Sequence, residues 1–406
     1  MNILFLTLVN IDSMEEKQNI YSDLCRSLME LGHTVNIVCP SEHGKEAGYF
    51  PYHSGSGLLK VSIGAVQKTG LLKKGINTLL FATRFKKAIR LNFPETKFDL
   101  IIYSTPPITV YPVVKYLKKR DHAVTYLLLR DIFPQNAIDL NMLSKTGVKG
   151  MIYRYFKRTE KKLYLISDQI GTMSKANTAY LLDHETYLRP EQVEEAPNSF
   201  YPYPNDLTDE KKKEIRKKYD LPADKTILVY GGNLGKPQGI PHLCECLRSI
   251  DGMENIYTVI CGNGTDYAAV EQYLAEKHLG RVKLLRWLPR EEYEEFISAC
   301  DIGLIFLDHR LSIPNFPSRL LSYMHKKMPV LACTDTVSDI RDVIEEGKFG
   351  WWCPSDRVEE FTKTVEGIGR FDVKQMGKNA AEYLFANYSS AETAQKIVSS
   401  YERHRS

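Results

Sequence analysis

The stretch KTILVYGGNLGKPQGIPHLCECL, residues 225–247, runs an apolar strand into a glycine-rich loop and then an amphipathic helix. The β-branched run ends at Tyr230, Gly231, Gly232, Gly235 and Gly239 punctuate the loop, and helical spacing begins near Ile240. Glycines let a backbone approach a bound group closely, and the free N–H groups of a helix start favour an anion. Lys236 adds a positive charge there. A turn needing positive φ would use the same residues, so the loop alone does not decide between the two. The following stretch, YTVICGNGTDYAAV (residues 257–270), repeats the device with Gly262, Asn263 and Gly264. Two such loops from neighbouring strands of one sheet would face one crevice, and a nucleotide diphosphate is an economical ligand for it.

The same alternation extends through the chain. NILFLTLV, TVNIVCP, FDLIIYS, AVTYLLL and DQIGTMS precede the loop; VKLLRWL, DIGLIFL, MPVLACT and FGWWCP follow it, with amphipathic helical stretches between. Short apolar runs alternating with helices predict an α/β fold with parallel sheets covered on both faces. With 406 residues and 43% hydrophobic content, two domains are expected. The Pro-, Asn- and Tyr-dense segment EEAPNSFYPYPND marks the hinge. The expected division is 1–197, 198–370 and a terminal helical tail 371–406 that packs back on the first domain. Two doubly wound domains would leave a cleft for two substrates between the carboxyl ends of their sheets.

Residues 1–198 hold 26 basic and 19 acidic side chains, the remainder 28 and 31, so the first half is the basic one. An anionic surface or polyanion is the expected partner of that half. From Lys60 to Arg90 eight Lys or Arg occur without one acidic residue, interleaved with Leu, Ile and Phe, and residues 149–164 (KGMIYRYFKRTEKKLY) form a second basic-aromatic segment. Both suit the surface of an anionic membrane, and equally a solvated helix face over a core stripe. No nucleic-acid motif accompanies them. No apolar run reaches the length of a membrane span, and the opening MNILFLTLVN reads as a buried strand. The eight cysteines show no disulfide framework, and the spacing of His, Cys and Asp suggests no metal site and no cofactor.

The order GGNLGKPQGI, CGNG, VKLLRWLPREEYEEFISACDIGLIFL and NFPSRLLSYMHKKMPVLAC resembles the second domain of glycosyltransferase family 4. GHTVNIVCP, RDIFPQN, TMSKAN and APNSF extend the resemblance over the first half. It is closest to the branch that builds bacterial capsule, O-antigen and exopolysaccharide units, including N-acetylfucosamine-type transferases. The resemblance implies the two-domain GT-B fold, two Rossmann-like domains facing a central cleft. It also implies a retaining enzyme that moves a sugar from a nucleotide diphosphate, UDP first, to an undecaprenyl-diphosphate-linked glycan. The enzyme would then work in the cytoplasm, on the inner face of the membrane.

Carried over by residue, the resemblance places the donor at Gly232, Asn233, Lys236, Gln238, Gly262, Asn263, Gly264, Trp287, Leu288, Pro314, Asn315, Phe316, Ser318, Arg319 and Ser322. The family's Arg and Lys beside the first loop are Asn233 and Gln238 here, which leaves Lys236 and Arg319 to meet the diphosphate. The family's two motif acids fall on Pro314 and Ser322, so neither is a carboxylate; a 6-deoxy or N-acetylated donor sugar, or a pocket built from the Asn315 and Phe316 N–H groups, would accommodate the first loss. Trp287 would lie by the base, or close the sheet end as a core aromatic. Arg130 and Asp131, directly after a buried strand, would be the catalytic pair on the acceptor side. Alternatives are a degenerate GT-B scaffold or partner subunit, and a nucleotide-sugar epimerase of the same fold.

Overall fold

The computed structural model describes residues 1–17, 19–41, 46–63, 71–204 and 207–405, with the backbone alone for 71–80. The chain divides into two compact units, Met1–Tyr201 with the segment from Ser389 onward, and Pro202–Tyr388.

In the first unit β1 (Asn2–Leu6), β2 (Thr34–Ser41), β3 (Gly48–Pro51), β4 (Gly57–Ser62), β5 (Leu100–Thr105), β6 (Val124–Leu129), β7 (Gln169–Thr172) and β8 (Val193–Glu195) form one sheet. Its order is β3-β4-β2-β1-β5-β6-β7-β8, and only β3 and β4 pair antiparallel. The central strands are buried along nearly their whole length, which is why they are continuous apolar runs rather than alternating ones. The last helix, Ser390–Arg405, inserts Ala394, Ile397 and Val398 into the core beside Leu24 and Leu28 of the helix Ile20–Glu30. Ser390 and Ser27 share a buried 2.7 Å hydrogen bond at its start.

The second unit holds β9 (Thr226–Asn233), β10 (Ile256–Asn263), β11 (Val282–Arg286), β12 (Ile302–Phe306), β13 (Val330–Thr334) and β14 (Gly350–Pro354), all parallel, in the order β11-β10-β9-β12-β13-β14. The sequence direction reverses on either side of β9, so the loops after β9 and β12 flank a topological switch point, where such sheets bind ligands. The charged helix Asp209–Lys218 begins this unit under a Thr208 cap, with acids at its start and bases at its end. Its Lys212 and buried Arg216 both reach Asp301 at 2.7 Å, tying the helix to the start of β12.

Three differences from the sequence reading follow from edge positions and packing. The helix Val373–Asn387 stays with the second unit, so only Ser390–Arg405 of the tail joins the first. Its small residues explain why: Gly377 lies so close to the Lys327 carbonyl that a Cβ would overlap it. The strands β3, β4 and β8 escaped notice because they are short or carry charge. The basic stretch 60–90 therefore begins on β4, where Lys60 Nζ donates to the Asp12 carbonyl at 2.7 Å. Residues 64–70 and the side chains of 71–80 lie outside the described residues; beyond them Phe81, Phe85 and Ile89 are buried, so that part of the helix Leu71–Asn92 turns its apolar stripe to the core. No helix among the described residues is long and apolar enough to cross a membrane.

Candidate active site

The two glycine loops lie side by side because β9 and β10 stay in register to their ends, pairing Gly262 with Gly232 and Asn263 with Asn233. Gly232 adopts φ +118° and Gly239 φ +59°, conformations that favour glycine. A Cβ at Gly262 would collide with the Gly232 carbonyl, and one at Gly264 with that of Leu234. These glycines are therefore required by strand approach as well as by any ligand. Asn233 and Gln238 meet across the first loop, Asn233 Nδ2 donating to Gln238 Oε1 at 2.8 Å. A neutral clasp thus stands where the resemblance places two cations. Lys236 begins the short turn Lys236–Gln238 and is exposed.

Arg319, the first residue of the helix Arg319–His325, supplies the charge. Its guanidinium lies 4.6 Å from the centroid of the Tyr230 ring, and a Cβ on Gly232 would be in van der Waals contact with it at 3.5 Å. Nη1 is buried and makes no hydrogen bond to any described residue. Tyr323, from the same helix, accepts from the Gly231 N–H at 3.0 Å, and burial raises its phenol well above the ordinary range. The neighbours of Arg319 are thus uncharged phenols rather than a carboxylate, and a half-buried cation with Nη1 unpartnered among the described residues favours an anion beside it.

The loop 307–318 completes this side. The Asn315 N–H donates to Ser338 Oγ at 2.8 Å, so of the two N–H groups expected to serve the sugar pocket this one is already engaged. Pro314 and Phe316 are buried, Phe316 against Tyr388, while Ser318 is exposed ahead of the helix. Ser322 Oγ lies 3.4 Å from Glu294 Oε1, and Lys326 Nζ 3.2 Å from Oε2 of the same buried acid. A carboxylate therefore remains next to position 322, supplied by the helix Arg290–Ser298. Trp287 follows β11 and is 65% exposed, which excludes the core-aromatic alternative; Leu288 beside it is half-buried.

In the first unit Arg130 and Asp131 follow β6, as expected, but diverge. Arg130 donates through Nη1 to the Ala196 carbonyl and, at 3.1 Å, to Met173 Sδ, with Nη2 3.5 Å from the Pro197 carbonyl. It braces the end of β8 rather than presenting a free charge. Asp131 accepts from Asn136 Nδ2 at 2.8 and 3.0 Å. Burial pushes its carboxyl up to about 6, against the pull of Asn136 and the Ile132 backbone.

Residues 211–382 match the family described as "Glycosyl transferases group 1". The chain is similar to a probable glycosyltransferase, WbjE, of Pseudomonas aeruginosa, 23% identical over 82% of this chain and 80% of that one. The chain is a glycosyltransferase. It is also similar to a putative colanic acid biosynthesis glycosyl transferase, WcaI, of Escherichia coli strain K12, 24% identical over 51% of this chain and 49% of that protein. Among solved structures, Anabaena HepE in complex with UDP superposes with a TM-score of 0.65 at 13% identity, covering 99% of this chain and 100% of that one. The glycosyltransferase has the GT-B fold.

The family match covers the loops of the second unit and Arg319. The glycosyltransferase also holds residues that its sequence did not single out. Tyr230, Tyr293 and Tyr323 surround Gly231 and Arg319, and Glu294 backs Ser322. In the transferase, Gly262→Ala forces two strands apart and should lower unfolding stability by about 1–3 kcal/mol, the ordinary cost of overpacking. Urea denaturation checks this; an unchanged midpoint would mean that β10 yields freely.

Proposed function

We propose that this glycosyltransferase moves a sugar, such as an N-acetylated or 6-deoxy hexose, from a nucleotide diphosphate donor to an undecaprenyl-diphosphate-linked glycan. The donor base is uracil in this reading, the anomeric configuration is retained, and the product feeds a bacterial surface polysaccharide. The observation that carries the donor assignment is the half-buried Arg319 guanidinium, with Nη1 buried and unpartnered among the described residues, against the Gly232 loop at the switch point. The UDP held by HepE on the same fold and the colanic acid assignment of WcaI support base and polymer class.

In the reaction, Arg319 and Lys236 neutralise the departing diphosphate. The bond from the anomeric carbon to the phosphate oxygen breaks as the acceptor oxygen bonds on the same face. The acceptor proton leaves towards the departing phosphate, with Asp131 orienting the hydroxyl or receiving that proton. Ser322 with Glu294 behind it takes the place of an acid at the ribose. Trp287 serves the base.

The acceptor is a lipid, and the helix Gly147–Ile166 supports docking on the inner membrane face. Val148, Met151, Ile152 and Tyr155 are all exposed at helical spacing, flanked by exposed Lys149, Arg154 and Arg158. That combination suits an anionic bilayer.

Thermal unfolding with UDP, GDP, dTDP, CMP and UDP-sugars tests the donor. Ligand at about 100-fold its Kd adds roughly 2.7 kcal/mol to the native state. UDP and its sugars should shift the transition. No shift with any nucleotide defeats the donor assignment, and a shift confined to another base defeats uracil.

A further inference from the structure

We propose that His242, Cys246 and Cys333 form a binding site for a borderline-soft divalent cation, with zinc the best match. His242 and Cys246 are four residues apart on the helix Ile240–Ile250 and so lie on one face, one turn apart. That face packs on β13, where Cys333 lies. His242 Nε2 is 3.3 Å from Cys333 Sγ and 3.4 Å from Cys246 Sγ, and the three ligand atoms lie within 4.8 Å of one another.

Without an ion the trio is held by weak sulfur contacts: a neutral Nε2 offers one proton or one lone pair to two thiols, and Cys333 Sγ also lies 3.7 Å from the Pro354 carbonyl. A cation would bind all three directly. Tetrahedral zinc, with Zn–S of about 2.3 Å and Zn–N of about 2.0–2.1 Å, sets N···S separations near 3.6 Å. The present separations need grow by only a few tenths of an ångström. Cys246 and Cys333 are fully buried, whereas His242 is half-buried and gives the ion an approach. Cys353 is paired in register with Cys333 on the adjoining β14 and is also buried, but it is not part of the 4.8 Å cluster, so the trio supplies the three protein ligands. Binding deprotonates the two thiols and releases two protons.

The site has a structural task. Its helix begins directly after Gly239, so an ion at His242 and Cys246 would pin the glycine loop to β13 without touching the donor. The residues come from two segments up to 91 positions apart, which is why no local spacing announced them.

The test is titration of the reduced, chelator-stripped full-length protein with Co2+, followed by displacement with Zn2+. Thiolate-to-cobalt charge-transfer absorption should saturate at one ion per chain and bleach on adding one equivalent of zinc. It should be lost in His242→Gln and in Cys246→Ser, and zinc should raise the melting temperature of the parent protein only. Absence of thiolate–cobalt absorption in the parent overturns the site, a result that requires no variant to fold. Absorption that survives in both variants overturns it too, by assigning the ion to other thiols.

Discussion

Replacing Arg319 with methionine will weaken UDP binding by about 10- to 100-fold while leaving the fold as stable as before or more so. Charge-assisted hydrogen bonds of a guanidinium to phosphate contribute about 1.5–3 kcal/mol, and each 1.4 kcal/mol is tenfold in Kd. The fold draws on that charge only through the faces and hydroxyls of neighbouring phenols, with no carboxylate beside it and Nη1 buried without a partner among the described residues. Replacing a buried ion with an apolar side chain of similar length is often neutral or stabilising. Calorimetric titration with UDP and a melting curve read the two effects separately. A variant that binds UDP normally but melts early would make Arg319 a packing residue and remove the diphosphate site from its place beside Gly232. Lysine at this position should recover only part of the affinity, since it presents a point charge rather than a fork.

Asp131→Asn should lower turnover by at least about 100-fold, the smaller end of what a positioned proton acceptor contributes. Wild-type activity should rise with pH through about 6, where the Asp131 carboxyl ionises, and the residual activity of the variant should lose that step. Stability moves the other way. The folded-state pKa is raised above the unfolded value, so the contribution is fully present below about 4 and is lost as pH rises through about 6. Parent and variant should therefore melt alike near pH 4. At pH 8 the asparagine form should be the more stable, by at most about 3 kcal/mol for a shift of roughly two pK units. Solvent reaching the half-buried side chain lowers that figure. Undiminished turnover in the variant would assign Asp131 to local structure with Asn136 instead.

The parallel sheets were legible because strands buried on both faces must be continuous apolar runs, as TILVY and IGLIF are. The glycine loops were legible because close strand approach and positive φ admit little else. Strands such as GYFP and VEE were not, because an edge strand needs neither length nor apolar content. Within the candidate site, local motifs pointed to Gly232, Gly262 and Arg319. They could not show that Arg130 would turn towards the Ala196 and Pro197 carbonyls, since only the fold brings residues 66 and 67 positions apart together. Glu294 was invisible for a similar reason. Its carboxylate reaches Ser322 from a different helix, and no reading along a single segment could follow it there.

The return of the helix Ser390–Arg405 to the first unit orders events during synthesis. A ribosome releases Met1–Tyr201 first, yet the core of that unit lacks Ala394, Ile397 and Val398 until nearly two hundred further residues have emerged. Pro202–Tyr388 is contiguous and is released whole before then. The second-made unit can therefore finish first, while the nascent first unit waits with the groove beside Leu24 and Leu28 uncovered. That waiting surface is where a chaperone would find the chain, and where a premature stop near the 3′ end of the message would leave its damage, far from the truncated end.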